Sequence, residues 1–250
     1  MRRARTFTAV LVALLAGLAA SPAFASHSWS NYHWARLSNP FALALGDNVS
    51  ADWDSYLGTS STQWSSSSVL NTAIAAGGTT GRKCRATAGR VEVCSSAYGR
   101  TGWLGLASIY LSGSHITQGT VKVNDTYFTM PQYNNPAERA HVMCQEIGHT
   151  FGLGHTSEDG SVQGTCMDYS SDSTSTAPNA HDYAQLESIY AHLDSTTTVG
   201  SPSSTQSPQV GNDQSSWGRE VLRSAGGKHS TFVREFSNGS TVVTHVTWAR

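Results

Sequence analysis

Charged residues are scarce in this chain: Asp, Glu, Lys and Arg make up only 13% of its 250 residues. The formal net charge is −1, and no basic patch interleaved with aromatic residues occurs, which argues against electrostatic binding of nucleic acid. Long apolar runs are also missing after the first 20 residues, so the sequence predicts no membrane-spanning helix. We therefore expect neither nucleic acid nor membrane as a partner.

The first 25 residues have the pattern of a secretory signal peptide. Arg2, Arg3 and Arg5 precede an apolar run from Ala9 to Ala20, and Ala23-Phe24-Ala25 forms an A-x-A cleavage site. The apolar run is too short to cross a bilayer. The sequence thus predicts export, cleavage after Ala25 and an extracellular location.

Cysteine is rare, with four residues in the whole chain. In an exported protein an even number of cysteines predicts disulfides, and four cysteines allow three pairings. We favour Cys84–Cys94, which closes a short loop, and Cys144–Cys166, which would join two motifs described below. The alternative, that Cys144 or Cys166 binds metal as a thiolate, is disfavoured by an oxidising compartment.

Residues 145–155 read Gln-Glu-Ile-Gly-His-Thr-Phe-Gly-Leu-Gly-His. On a helix Gln145 and His149 lie on one face and can converge on one ion, while Glu146 lies about 100° further round, within reach of a metal-bound water. Gly152 can adopt the left-handed conformation that ends a helix. That turn would bring His155 to the same ion. Asn135 as N-cap, with Pro136 and Glu138 after it, predicts where the helix begins.

With one mismatch, this segment resembles the H-E-x-x-H-x-x-G-x-x-H motif of the metzincin zinc endopeptidases, most closely the matrixin-like secreted bacterial type. Cys166-Met167-Asp168-Tyr169 is similar to the Met-turn of that clan. The resemblance implies an α+β, zincin-like fold: a twisted mixed sheet with an active-site helix, a Met-turn and a C-terminal helix. It also implies one catalytic Zn²⁺, with Met167 beneath it and Tyr169 ligating it or stabilising the tetrahedral intermediate.

Gln145 stands where the motif has its first histidine. Its Oε1 lies as many bonds from the backbone as a histidine Nε2, but a neutral oxygen is a weaker zinc ligand than imidazole. Three interpretations remain open: Gln145 is an unusual third ligand, the metal is bound weakly or by another set of residues, or the site is dead and the scaffold only binds. His141, one turn earlier on the same face, is a further candidate ligand.

The resulting hypothesis is a secreted, metal-dependent endopeptidase. Gln145, His149 and His155 would hold the zinc, Glu146 would act as general base, and Tyr169 would stabilise the oxyanion. Its partner would be an extended protein or peptide substrate, and we expect a monomer. The alternative is an inactive secreted binding protein on a metzincin scaffold.

The order of predicted elements places the catalytic domain at residues 26–194, a Ser/Thr/Pro-rich linker at 195–216 and a short β-hairpin segment at 217–250. Asn238-Gly239 between two β-patterned runs predicts the hairpin turn. This segment would pack on the core, bind a surface or be removed on maturation. A strand from Trp103 to Tyr110 is our candidate for a substrate-binding sheet edge, with an ordinary core strand equally compatible.

Matrixins resembling this chain often carry a second, structural zinc held by several His and an Asp before the motif helix. Here His115 stands nearly alone in that region. We therefore expect a single zinc.

Overall fold

A large mixed sheet carries most of the fold in the computed structural model, which describes residues 27–201 and 208–249. The predicted signal peptide, residues 1–25, lies outside the described residues. The strands are β1 (His33–Trp34), β2 (Phe41–Asn48), β3 (Leu70–Ala76), β4 (Val91–Ser96), β5 (Trp103–Ser112), β6 (His115–Asn124), β7 (Arg219–Arg223), β8 (His229–Glu235) and β9 (Thr241–Trp248). The helices are α1 (Ala51–Trp64), α2 (Asp125–Phe128), α3 (Pro136–His149), α4 (Ala180–Ile189) and α5 (Gln214–Trp217). The mixed α+β class is confirmed.

The sheet has a parallel half and an antiparallel half. Its order is β3-β2-β4-β6-β5-β9-β8-β7, and the short β1 pairs with one end of β6. Each pair of neighbours from β3 to β6 is parallel. Each pair of neighbours from β6 through β5, β9 and β8 to β7 is antiparallel. The two halves meet at β5 and β6, whose faces are almost completely buried.

The motif helix α3 begins as its sequence predicts. The Asn135 side chain accepts a hydrogen bond of 2.8 Å from the backbone N–H of Glu138, with Pro136 at the first helical position. Every residue from His141 to His149 is buried, because this half of the helix lies between α1 and the sheet. Gly105 on β5 permits the close approach: a Cβ there would lie 2.7 Å from Glu146 Oε1.

Both favoured disulfides are present, Cys84–Cys94 and Cys144–Cys166. The second joins the buried half of α3 to the segment that contains Met167 and Tyr169. It therefore holds the two motifs of the sequence next to each other.

The C-terminal hairpin (β8 and β9) forms around Asn238-Gly239 as predicted, and it packs on the core. β9 pairs with β5 along its length, from Trp103 opposite Trp248 to Leu111 opposite Thr241. The prediction that the strand from Trp103 to Tyr110 is an open edge is therefore wrong, because β6 covers one side of it and β9 the other. A second apolar cluster lies beneath the hairpin and includes Trp103, Trp217 and Phe232.

Other boundaries moved by a few residues. The last helix of the core ends at Ile189 rather than Leu193, and β6 begins at His115, four residues before the predicted start. β7 was not predicted. Among the described residues, no helix is long and apolar enough to cross a membrane.

Candidate metal centre

Helix α3 and the loop after it bring His149 and His155 together. Gly152 has φ +91°, and a Cβ there would lie 2.2 Å from the carbonyl oxygen of Tyr32, so this turn requires glycine. The backbone N–H of Thr156 donates to the Met167 carbonyl at 2.9 Å, which fixes the loop against the Met-turn segment. The His149 and His155 ring centres end 4.5 Å apart.

The third member of this group comes from β9. One ring nitrogen each of His149, His155 and His245 lies within 4.8 Å of the other two. The Nε2 atoms of all three are buried and have no hydrogen-bond partner. We call these three residues the buried histidine cluster.

Hydrogen bonds at Nδ1 orient two of the three rings. His149 Nδ1 donates to the Leu153 carbonyl at 2.8 Å, and His245 Nδ1 lies 3.1 Å from Glu146 Oε2. With the proton on Nδ1, each Nε2 presents a lone pair to the centre of the cluster, as in metal-binding histidines. Trp29 stacks flat on His149, with ring centres 4.7 Å apart.

Gln145 is fully occupied elsewhere. Its Nε2 donates to the carbonyl oxygens of Cys166 and Asp168, both at 2.9 Å, and its Oε1 lies 3.0 Å from the hydroxyl of Thr247. Two carbonyl acceptors on one side fix the orientation of the amide. Gln145 thus connects α3 to the Met-turn segment and β9, whereas the unpaired nitrogens nearby belong to histidines. His141 lies behind it, with its Nε2 at 3.3 Å from Gln145 Nε2.

Glu146 is buried, and both of its oxygens have partners on β9. Oε1 is 2.7 Å from Thr247 Oγ1, and Oε2 is the atom that faces His245. Burial raises the pKa of Glu146 to about 7. Burial lowers the pKa of His245 to about 3 and holds the pKa of His149 well below its ordinary value. At neutral pH these imidazoles are therefore uncharged, which is the form that binds metal.

Tyr169 and His229 close one side of the cluster. Their rings stack with centres 4.1 Å apart, and the Tyr169 ring is 4.1 Å from that of His155. The buried Tyr169 hydroxyl has no hydrogen-bond partner. Met167 lies against the preceding turn of α3, where a Cβ on Gly148 would come within 2.6 Å of its Sδ.

These residues fit a zinc ion on the evidence of the structure itself. Buried polar atoms are normally paired, and three unpaired Nε2 atoms in one cluster could be satisfied by a metal ion. Neutral imidazoles are preferred zinc ligands, and a carboxylate that accepts from the far nitrogen of a ligand histidine is the usual supporting contact. His149, His155 and His245 would hold the ion, with Glu146 behind His245.

Access to the cluster is restricted. A cleft of about 370 Å³ reaches His155 between Trp29 and Val243, whereas Glu146, His149 and His245 have no exposed surface. Both oxygens of Glu146 are held by residues of β9, His245 and Thr247. A bulky substrate therefore does not reach Glu146 in this conformation.

Comparison with known proteins adds no family assignment: no protein-family model matches the chain, and no curated protein is significantly similar to it.

The structure brings together four of the five predicted site residues (Glu146, His149, His155 and Tyr169), whereas hydrogen bonds to Cys166, Asp168 and Thr247 take up the amide of Gln145. Sequence reasoning missed His245, His229 and Thr247, all on the C-terminal hairpin. A signal was present: the motif lacks one histidine, and the predicted strand from Thr241 to Trp248 contains one, His245. Only the pairing of β9 with β5 shows that the two belong together.

Proposed function

We propose that this chain is a secreted zinc-dependent endopeptidase whose ion is held by His149, His155 and His245, not by Gln145. The observation that carries this proposal is the convergence of three unpaired Nε2 atoms beside a buried carboxyl group. The metzincin-like order of motif helix, glycine turn and Met-turn supports the choice of peptide hydrolysis. Export remains a prediction from the N-terminal sequence.

A bound zinc ion supplies Lewis-acid activation of water and of a peptide carbonyl. Glu146 takes the proton of the attacking water and delivers it to the leaving amine; a carboxyl pKa near 7 suits both transfers. The unpaired hydroxyl of Tyr169 donates to the oxyanion that forms on the scissile carbonyl.

The described conformation is a closed one. Thr247 and His245 engage both oxygens of Glu146, and β9 is paired with β5 along its length. Cleavage therefore requires Thr247 to release Glu146 and the cleft beside His155 to widen, while β9 keeps His245 in place.

The same contacts favour a second candidate function, a metal-containing binding protein without catalysis. In that case Thr247 never releases Glu146, and Glu146 serves only to orient His245. The two candidates agree on the metal and differ on cleavage.

The test uses the untagged mature protein, its zinc content and its cleavage of casein with and without o-phenanthroline. His245→Ala should lose one equivalent of zinc relative to wild type. Glu146→Gln should keep that zinc but lose at least about a hundredfold in cleavage rate, the effect of removing a general base. Gln132→Ala, an exposed position, serves as the control and should change neither quantity.

Zinc bound through His245 without chelator-sensitive cleavage would leave the binding protein as the function. Zinc content unaffected by His245→Ala but reduced by Gln145→Ala would overturn the ligand assignment.

A further inference from the structure

A second group of histidines lies on the opposite side of the N-terminal segment. The parallel pairing of β1 with β6 sets His33 directly beside His115. The chain that follows α4 adds His192 and Asp194. We call these four residues the cleft cluster, because they line an open cleft of about 520 Å³.

Ligand atoms of His33, His192 and Asp194 lie within 4.8 Å of one another, and His115 contacts the same carboxylate. His33 Nε2 lies 3.2 Å from His192 Nε2 and 3.4 Å from Asp194 Oδ1. The same carboxylate oxygen is 3.3 Å from His115 Nε2 and 3.8 Å from His192 Nε2. His115 is nearly alone in its region of the sequence, but three of its neighbours in the fold, His33, His192 and Asp194, are distant in sequence.

Hydrogen bonds outside the cluster determine what each group presents to the centre. His33 Nδ1 donates to the Asn31 carbonyl at 2.7 Å, so the Nε2 of the neutral ring carries a lone pair. Asp194 Oδ2 accepts from the guanidinium of Arg36 at 2.9 Å and from its backbone N–H at 3.2 Å. Asp194 Oδ1 is left facing the three rings.

Lone pairs that face each other at hydrogen-bond distance repel unless a proton or a cation lies between them. A tetrahedral zinc site with ligand bonds of about 2.0 to 2.2 Å has ligand atoms about 3.3 Å apart. The four measured separations lie around that value. Asp194 is only 10% exposed, whereas His192 is 53% exposed, so the site has a fixed inner wall and an entry path.

We propose that the cleft cluster is a second, structural zinc site, with His33, His192 and Asp194 as its core ligands. His115 lies beside the same oxygen of Asp194 and completes four-coordination when its half-exposed ring turns inward. Three imidazoles and one carboxylate are a ligand set that zinc favours. The ion would fasten β1 to the segment after α4, two parts of the chain that no disulfide joins in the described residues.

This inference does not depend on the proposed function, because it shares no ligand with the buried histidine cluster. The experiment is zinc binding to the untagged, metal-free full chain, followed by elemental analysis after gel filtration and by titration. His192→Ala is the main variant, since its exposed side chain can be removed without disturbing the core. Ser188→Ala, which alters the wall of the same cleft without removing an imidazole, is the matched control.

After gel filtration, wild type should retain one more zinc per chain than His192→Ala. In the titration, His192→Ala should weaken zinc binding at the cleft cluster at least about a hundredfold. Loss of a residue that only supports a ligand costs at most about a hundredfold, so a larger effect indicates a ligand. His149→Ala should leave this step unchanged, and Ser188→Ala should do the same. Cobalt bound to the metal-free His149→Ala protein should show the visible absorption of a tetrahedral ion. Adding His192→Ala to that variant should abolish the absorption.

The proposal is overturned if His192→Ala and wild type bind equal zinc with affinities within about threefold, or if Ser188→Ala has the same effect as His192→Ala. A zinc content that falls in His149→Ala but stays at the wild-type value in His192→Ala also counts against the proposal. Absence of casein cleavage has no bearing on either result.

Discussion

The buried histidine cluster and the cleft cluster use the same side chain in opposite settings. In the buried cluster the rings are packed among Trp29, Tyr169 and the sheet, and their supporting contacts come from a carbonyl and from Glu146. In the cleft cluster two of the three rings reach solvent, and a carboxylate oriented by Arg36 is itself among the candidate ligands. Burial makes the first cluster hold uncharged rings at neutral pH, whereas exposure gives the second an entry path for an ion.

The largest difference we expect is in the response of the metal-free protein to acid. Burial holds the pKa values of His149, His155, His229 and His245 well below 6.5, so the unfolded chain binds more protons than the folded one below pH 6.5. Glu146 acts in the opposite sense, because its raised pKa makes the folded state bind a proton between pH 4.5 and about 7. Four histidines less one carboxyl group leave a net three protons, which predict a loss of about 4 kcal/mol per pH unit as the pH falls from 6.5 to 4.5.

Urea unfolding at several pH values measures this slope. His229→Asn should reduce it by about 1.4 kcal/mol per pH unit, whereas His192→Ala in the cleft cluster should change it far less. Equal changes of the pH slope in the two variants would contradict the difference in burial between the two clusters.

Removing the Cys144–Cys166 disulfide should perturb the buried cluster alone. The bond closes a loop of 22 residues, so Cys144→Ala with Cys166→Ala should lower the free energy of unfolding by about 3 kcal/mol. The double variant should also weaken zinc binding that depends on His245, because α3 and the Met-turn segment are no longer fastened together.

Cys84→Ala with Cys94→Ala is the matched control. It also removes a disulfide, and it should reduce stability by a similar amount without changing either zinc affinity. A loss of zinc at the cleft cluster in the first double variant would show that the two sites are coupled.

Gln145→His should lower the free energy of unfolding, although it restores the histidine of the H-E-x-x-H-x-x-G-x-x-H motif. Gln145 donates to two buried carbonyls, and an imidazole cannot satisfy both. Each unsatisfied buried group costs about 1 to 3 kcal/mol, so we expect a loss of about 2 kcal/mol in urea unfolding without a gain in zinc affinity. Gln132→His, on the surface, should cost less than about 0.5 kcal/mol. Tighter zinc binding by Gln145→His would mean that position 145 faces the ion after all.

The smallest effect belongs to His115→Ala. Its side chain is 36% exposed, so the stability of the metal-free protein should change by less than about 0.5 kcal/mol. Zinc binding at the cleft cluster should still weaken measurably, and calorimetric titration compares the two quantities directly. A stability loss as large as that of Gln145→His would point to a packing role for His115.

Local patterns predicted much of the architecture. The capping residues Asn135 and Pro136, the turn at Gly152 and the hairpin at Asn238-Gly239 all depend on neighbours within a few residues, and each is where the sequence places it. Both disulfides were also anticipated.

What the sequence did not reveal depends on contacts between distant segments. Nothing near Gln145 indicates that its amide bonds to Cys166 and Asp168. Nor does it indicate that His245 lies beside Glu146, since that requires β9 to pair with β5. His33, His192 and Asp194 likewise meet only because β1 joins β6 while the chain after α4 returns to it. Such ligand sets have no characteristic spacing, so a motif search overlooks them.

The position of His245 on the last strand has a consequence for biogenesis. The proposed zinc-binding set remains incomplete until the chain has been made as far as Thr247 and β9 has inserted beside β5. The segments that carry His149 and His155 are made well before His245, so the proposed set has no third histidine until β9 has been made and paired. A chain cut before His245 would keep the whole motif helix yet lack the third proposed ligand, so loss of β9 alone would remove the proposed metal site.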